Sequence, residues 1–196
     1  MCSSQDIEYF NKYLTPREIT QICDQFHTNW SRNNQVMWSG IPRATAQAWA
    51  DQHQMQTLTT AMGPLMIHGD PKCLHTSKSH PKRKWSIYMQ GASALFAYHI
   101  ALDEGTVTVL TPPPPERFNP FGETNYQAIE EPILKGKLGA CRVSQIELVH
   151  PTVTSAQEFH YQFWPVDEAD HWDSQFKNLA PQSRSWRRPT KKRWKL

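Results

Sequence analysis

The sequence predicts an α/β or α+β fold: a single domain over residues 1–182, in which a small mixed sheet is packed by helices, followed by a disordered basic C-terminal tail over 183–196. Three observations carry this expectation. Helical and strand-like hydrophobic patterns alternate along the chain in the order α-α-β-α-β-(α)-β-α-β. The length, 196 residues, suffices for one core and is short for two. Charge is segregated at the end of the chain, where 183–196 hold seven basic residues and no acid. Removing those seven from 21 leaves 14 basic residues against 18 acidic ones, so the body is acidic although the whole chain carries +3.

The elements follow in order. Residues 5–28 read as helix, with Thr15-Pro16-Arg17-Glu18 as a capping signal and Ile19, Ile22, Cys23 and Phe26 forming one apolar stripe. Residues 29–39 are polar and Asn-rich, a loop that Trp30 and Trp38 anchor. Pro42 opens a second helix over 42–53. The threonines Thr57, Thr59 and Thr60 suggest a strand over 56–61, stopped by Gly63-Pro64. Residues 67–84 form an irregular surface loop. A helix rich in small residues spans 85–102, and the β-branched segment 106–110 reads as a strand buried on both faces. The prolines Pro112, Pro113, Pro114 and Pro115 must leave the sheet. A short helix is expected over 125–131, a strand over 142–149, a short helix over 151–158, an aromatic strand over 159–164 and an amphipathic helix over 167–176.

Composition bounds the class. Eight Trp, eight Phe and six Tyr are too many aromatics for a solvating, unfolded chain, despite a mean hydropathy of −0.67. No stretch approaches the length of apolar sequence that spans a bilayer. The opening Met1-Cys2-Ser3-Ser4 carries neither the basic nor the apolar region of a secretory signal, and no lipidation motif is present. An intracellular protein is therefore expected, with its four scattered cysteines as free thiols.

Five constellations could carry chemistry. His68, Asp70, Cys73, His75 and His80 are metal-ligand types in one loop, but their spacing matches no zinc motif, and no metal site is assigned. The segment 88–94 running through Gly105 to 107–110 resembles the helix and second strand of a nucleotide-binding βαβ unit. It lacks the glycine fingerprint and carries Thr111 where an acidic ribose ligand belongs, so no cofactor is indicated. The polar segment 112–135, stiffened by prolines, holds Glu130 and Glu131 as candidate general bases and Arg117 and Lys135 as candidate anion holders. His150, at a strand end, completes a candidate catalytic set of Glu130, His150, Arg117 and Lys135. In the tail, Arg184, Arg187, Arg188, Lys191, Lys192, Arg193 and Lys195 can neutralise phosphates, and Trp186 and Trp194 can stack on unpaired bases.

The leading functional expectation is an intracellular nucleic-acid-associated protein, nuclear by virtue of a basic localisation signal, with nucleic acid or an import receptor as the tail's partner. Its extension makes the body a small metal-independent nuclease-like hydrolase or other phosphate-handling enzyme. The alternative is a non-enzymatic protein-protein interaction module that docks a partner through the Pro112 to Pro115 stretch.

Overall fold

The structure is a computed structural model, and it describes residues 4–67, 69–73, 85–139, 141–176, 178–179 and 186. Where the periodicity predicts one helix over 5–28, there are two: α1, Ser4–Phe10, and α2, Pro16–Asn29. The start signal itself sets the break. Thr15 Oγ1 accepts from the Glu18 backbone N–H at 3.3 Å, and the Glu18 carboxylate accepts from the Thr15 N–H at 2.8 Å. Those reciprocal bonds begin a new helix at Pro16. Ile19, Ile22 and Phe26 are buried as the stripe predicts, and Phe10 and Leu14 join them in the core.

Two expectations need correction between residues 29 and 66. The loop expected over 29–39 contains a strand, β1, Val36–Trp38. Three residues are too few for alternation to register between flanking Asn and Ser. Trp30 does anchor its segment, donating its indole N–H to Asp103 at 2.8 Å. After α3, Arg43–Gln52, the strand expected over 56–61 is instead the helix α4, Leu58–Met62. Thr57 is its cap, accepting from the Thr60 N–H at 3.2 Å. A hydroxyl that can hold an orphan N–H outweighs weak strand propensity. A 3₁₀ turn, Gly63–Met66, follows.

Helix α5, Trp85–Asp103, has the small-residue character that close packing needs. A Cβ on Gly91 would collide with Leu14, so this glycine lets the α1–α2 link lie against the helix. Next come β2, Thr106–Leu110; a π-helical turn, Tyr126–Glu130, continuing into α6, Glu131–Leu134; and β3, Gln145–Val149. The helix expected over 151–158 shrinks to a 3₁₀ turn, Thr154–Ala156. Strand β4, Tyr161–Trp164, and α7, Ala169–Phe176, with Trp172 buried, lie within their expected ranges.

The four strands form one sheet in the order β1-β2-β3-β4. The pairs β1–β2 (Val36 beside Thr108) and β2–β3 (Val107 beside Ile146) are parallel, and β3–β4 (Leu148 beside Tyr161) is antiparallel. Alternate residues divide between two cores. Met37, Val109 and Leu148 pack with residues of α2 and α5, while Val36, Leu110 and Val149 pack with Ala46, Trp49 and Ala50 of α3. Helices therefore cover the sheet on both sides, which makes the fold α/β with a mixed sheet. The parallel strands end together at Ser39-Gly40, Thr111-Pro112 and His150-Pro151, the edge of an open α/β sheet where ligand clefts form. Among the described residues, no helix is long and apolar enough to cross a membrane.

His68, His75 and His80 of the expected metal-ligand loop, and the tail except Trp186, lie outside the described residues.

Candidate functional site

A cavity of about 300 Å³, the size of a small-molecule site, opens where β1 ends. Five elements build its wall. Strand β1 and its exit supply Met37, Trp38, Ser39 and Gly40; α4 and the 3₁₀ turn supply Leu58, Thr59 and Met66; α5 supplies Met89, Ser93 and Phe96; the π-helical turn supplies Tyr126 and Glu130.

Each polar wall residue has a local reason for its place. The Ser39 N–H donates to Leu110 O at 2.9 Å, extending the ladder one residue past β1 and fixing where its side chain sits. Ser93 lies in the run of small residues that lets other chain segments approach α5 closely. The π-helical turn is set by Pro132. With no N–H to continue the ordinary ladder, the chain closes a wider turn in which Glu131 N–H reaches Tyr126 O. Four residues apart on one turn of helix, Tyr126 and Glu130 share one wall. The turn is pinned from outside: Gln127 donates to Asn119 O at 2.9 Å and accepts from Asn119 N–H at 3.1 Å.

Two of these groups are buried without partners. Among the described residues, nothing hydrogen-bonds the Ser39 Oγ or the Tyr126 hydroxyl. Native proteins leave few buried polar atoms in this state, and a ligand is one common reason. Glu130, 8% exposed, completes the group. Burial pushes its carboxyl from 4.5 up to about 7, against a smaller pull downward from the Ser93 hydrogen bond. Burial, and the neighbouring Glu131 and Glu130, raise the Tyr126 phenol well above its ordinary value, so its hydroxyl keeps its proton.

Of the four residues proposed from sequence for catalysis, Glu130 lines the cavity and the other three do not. His150 is fully buried in a separate network. Its Nδ1 lies 3.2 Å from Thr111 O and its Nε2 lies 2.9 Å from the Tyr161 hydroxyl. Arg117 donates to that hydroxyl at 3.5 Å and makes a two-pronged pair with Asp167 at 2.9 and 2.7 Å. Burial raises Tyr161 to about 12, so it keeps its proton for His150 Nε2, while His150 Nδ1–H serves Thr111 O. Burial lowers His150 to about 4, and the ring is neutral. Lys135 pairs with Glu131 at 2.6 Å and lies over the Phe163 ring. Arg117 and Lys135 thus already have acidic partners within the chain.

Sequence reasoning found Glu130; Tyr126 falls inside the polar 112–135 segment and Ser93 inside the small-residue helix without a role of its own, and Ser39 was missed. The available signal was the Tyr126-x-x-x-Glu130 spacing, which puts a phenol and a carboxyl on one face of a helix.

The prolines and the tail meet beside this cavity. Pro112 and Pro113 are buried, and Trp186 of the tail rests on Gly40 with its indole N–H donating to Glu116 O at 3.3 Å. A Cβ on Gly40, whose φ is +74°, would collide with the Trp186 ring. Two of the four prolines and one of the two tail tryptophans are therefore occupied within the chain itself. Comparison with protein-family models, with curated proteins and with solved structures finds no match for this chain.

Proposed function

We propose that the body is a small-molecule-binding α/β protein whose ligand occupies the cavity at the end of β1, with Glu130 exchanging a proton with it. The observation that supports this is the convergence, on one cavity, of a buried carboxyl and two buried hydroxyls without partners. A carboxyl near neutrality takes up and releases protons at working pH, as a general acid–base group must. The phosphate-handling extension draws no support from this cavity. Its described wall holds one carboxyl and no Lys, Arg or His to meet a phosphate.

The test is a fragment screen by protein-observed methyl NMR on the full chain, repeated on Glu130→Gln and Tyr126→Phe. Hits should shift the methyl signals of Met66 and Met89 and bind at least about tenfold more weakly to Glu130→Gln, the cost of losing a charged hydrogen bond. Hits that ignore both substitutions, or no hits, would remove the proposal.

Charge segregation favours a second reading for the tail: a polyanion contact, with nucleic acid first, made by the cations of 183–196. Trp186, seated on Gly40, gives that segment a fixed root on the body. Binding to single-stranded nucleic acid should fall steeply with added salt and vanish on removal of 187–196. Salt-independent binding, or binding unchanged by the truncation, would count against it.

A further inference from the structure

We infer that the cavity's ligand is an organic cation: an amine carried on an apolar or aromatic body. This rests on the reading that the cavity binds a small molecule, and it goes on to name the class.

The argument starts from charge. Glu130 is the single ionisable acid on the described wall, and no described cation faces it. The cations nearest along the chain are engaged elsewhere: Lys135 pairs with Glu131, Lys137 lies over the Tyr9 ring, and Arg117, further back, pairs with Asp167. His150 is neutral within its own network. A buried carboxylate without a counter-charge is costly, and a ligand that brings one removes that cost. An anionic ligand would raise it.

The polar chemistry of the wall agrees. Ser39, Ser93, Tyr126 and Glu130 offer oxygen, and the two nitrogen-bearing side chains, Trp38 and Asn125, carry no charge. Ser39 Oγ and Tyr126 Oη both have lone pairs without donors among the described residues. An ammonium group has three N–H donors and no acceptor. It matches one carboxylate and two hydroxyl oxygens.

The rest of the wall suits the body of such a ligand. Trp38, Phe96 and Tyr126 contribute aromatic rings, and Met37, Met66 and Met89 contribute thioethers. Aromatic faces attract cations, and thioethers adapt to apolar and aromatic groups.

The titratable groups around Glu130 are few. The lining residues from α4, α5, β1 and the 3₁₀ turn carry no charge. Tyr126, which keeps its proton, stands on its own turn, and Glu131, the first residue of α6, is paired with Lys135. Ammonium binding therefore follows the ionisation of Glu130.

The test uses three matched probes on the full-length protein: phenethylamine, phenethyl alcohol and 3-phenylpropionate, by titration calorimetry. Phenethylamine should bind best of the three. Its affinity should rise about tenfold between about pH 6 and about pH 8 as Glu130 ionises, and both the affinity and its pH dependence should be lost in a folded Glu130→Gln. If the alcohol or the propionate binds as well as the amine, with Glu130→Gln still weakening it, the amine assignment is wrong and the ligand cavity stands. If phenethylamine binds Glu130→Gln and the wild type alike, the assignment is wrong as well. If no probe and no fragment binds the cavity, the reading beneath it fails first.

Discussion

Two groups of buried polar side chains lie near the carboxyl ends of the parallel strands, and they differ in whether their hydrogen bonds are met. At the end of β3, His150 has partners on both ring nitrogens, and the chain Thr111–His150–Tyr161–Arg117–Asp167 ties the exits of β2 and β3 to β4 and to the segment after it. At the end of β1, Ser39 and Tyr126 have none among the described residues, and the carboxyl of Glu130 has only Ser93. His150 and Tyr161 are as deeply buried as Ser39 and Tyr126. The count of unmet hydrogen bonds separates a brace from a site.

The largest expected effect lies on the side of the brace. His150→Ala leaves a void and strips partners from Thr111 and Tyr161, and should lower folding stability by about 3 kcal/mol. Tyr161→Phe, a milder change, should cost about 1–2 kcal/mol. Glu130→Gln should stay within about 1 kcal/mol of wild type at neutral pH, because it breaks no brace. Urea midpoints with unchanged slopes measure all three. A His150→Ala protein as stable as wild type would erase the distinction.

The two groups also oppose each other in pH. Glu130 is raised from 4.5 to about 7, so the folded state holds its proton more tightly, and its contribution to stability falls as pH rises through that window. His150 is lowered from 6.5 to about 4, so the unfolded state takes the proton first, and its contribution rises with pH over that window. In wild type these trends offset between about pH 4.5 and 6.5. Glu130→Gln removes the falling one. The stability of wild type minus that of Glu130→Gln should therefore drop by up to about 3 kcal/mol between about pH 4.5 and 7. A flat difference would mean that Glu130 titrates as an ordinary exposed carboxyl.

Much of this architecture is legible in the sequence, and the failures have a common cause. The capping box at Thr15, the small-residue helix α5 and the β-branched β2 were readable because each signal is local and long enough to repeat. Strand β1 was not, being three residues long, and Thr57 read as strand former when it was a cap. The site failed in the same way. Glu130 stood out as an acid in a polar loop, but Ser39 and Ser93 are ordinary residues until the fold brings them together. His150 was visible as a strand-end histidine, and its partners Tyr161 and Arg117 lie too far along the chain for spacing to reveal that it is braced.

The smallest effect gives the sharpest test of the comparison, because its sign is unusual. Tyr126→Phe removes one oxygen from a residue that is 1% exposed and keeps the ring stacked on Phe118 at 5.8 Å. Where a hydroxyl is satisfied, its loss destabilises; where it is buried and unpaired, its loss relieves a desolvation cost. Tyr126→Phe should therefore raise stability by about 0.5–1 kcal/mol, seen as a melting temperature about 1–4 °C higher. The same substitution should weaken cavity ligands. Stability gained where binding is lost is the mark of a residue kept for a ligand. If Tyr126→Phe instead costs 1 kcal/mol or more, the hydroxyl has a structural partner in the ligand-free protein. Tyr126 then belongs with His150 on the side of the brace, and the cavity keeps Glu130 and Ser39 alone as its polar anchors.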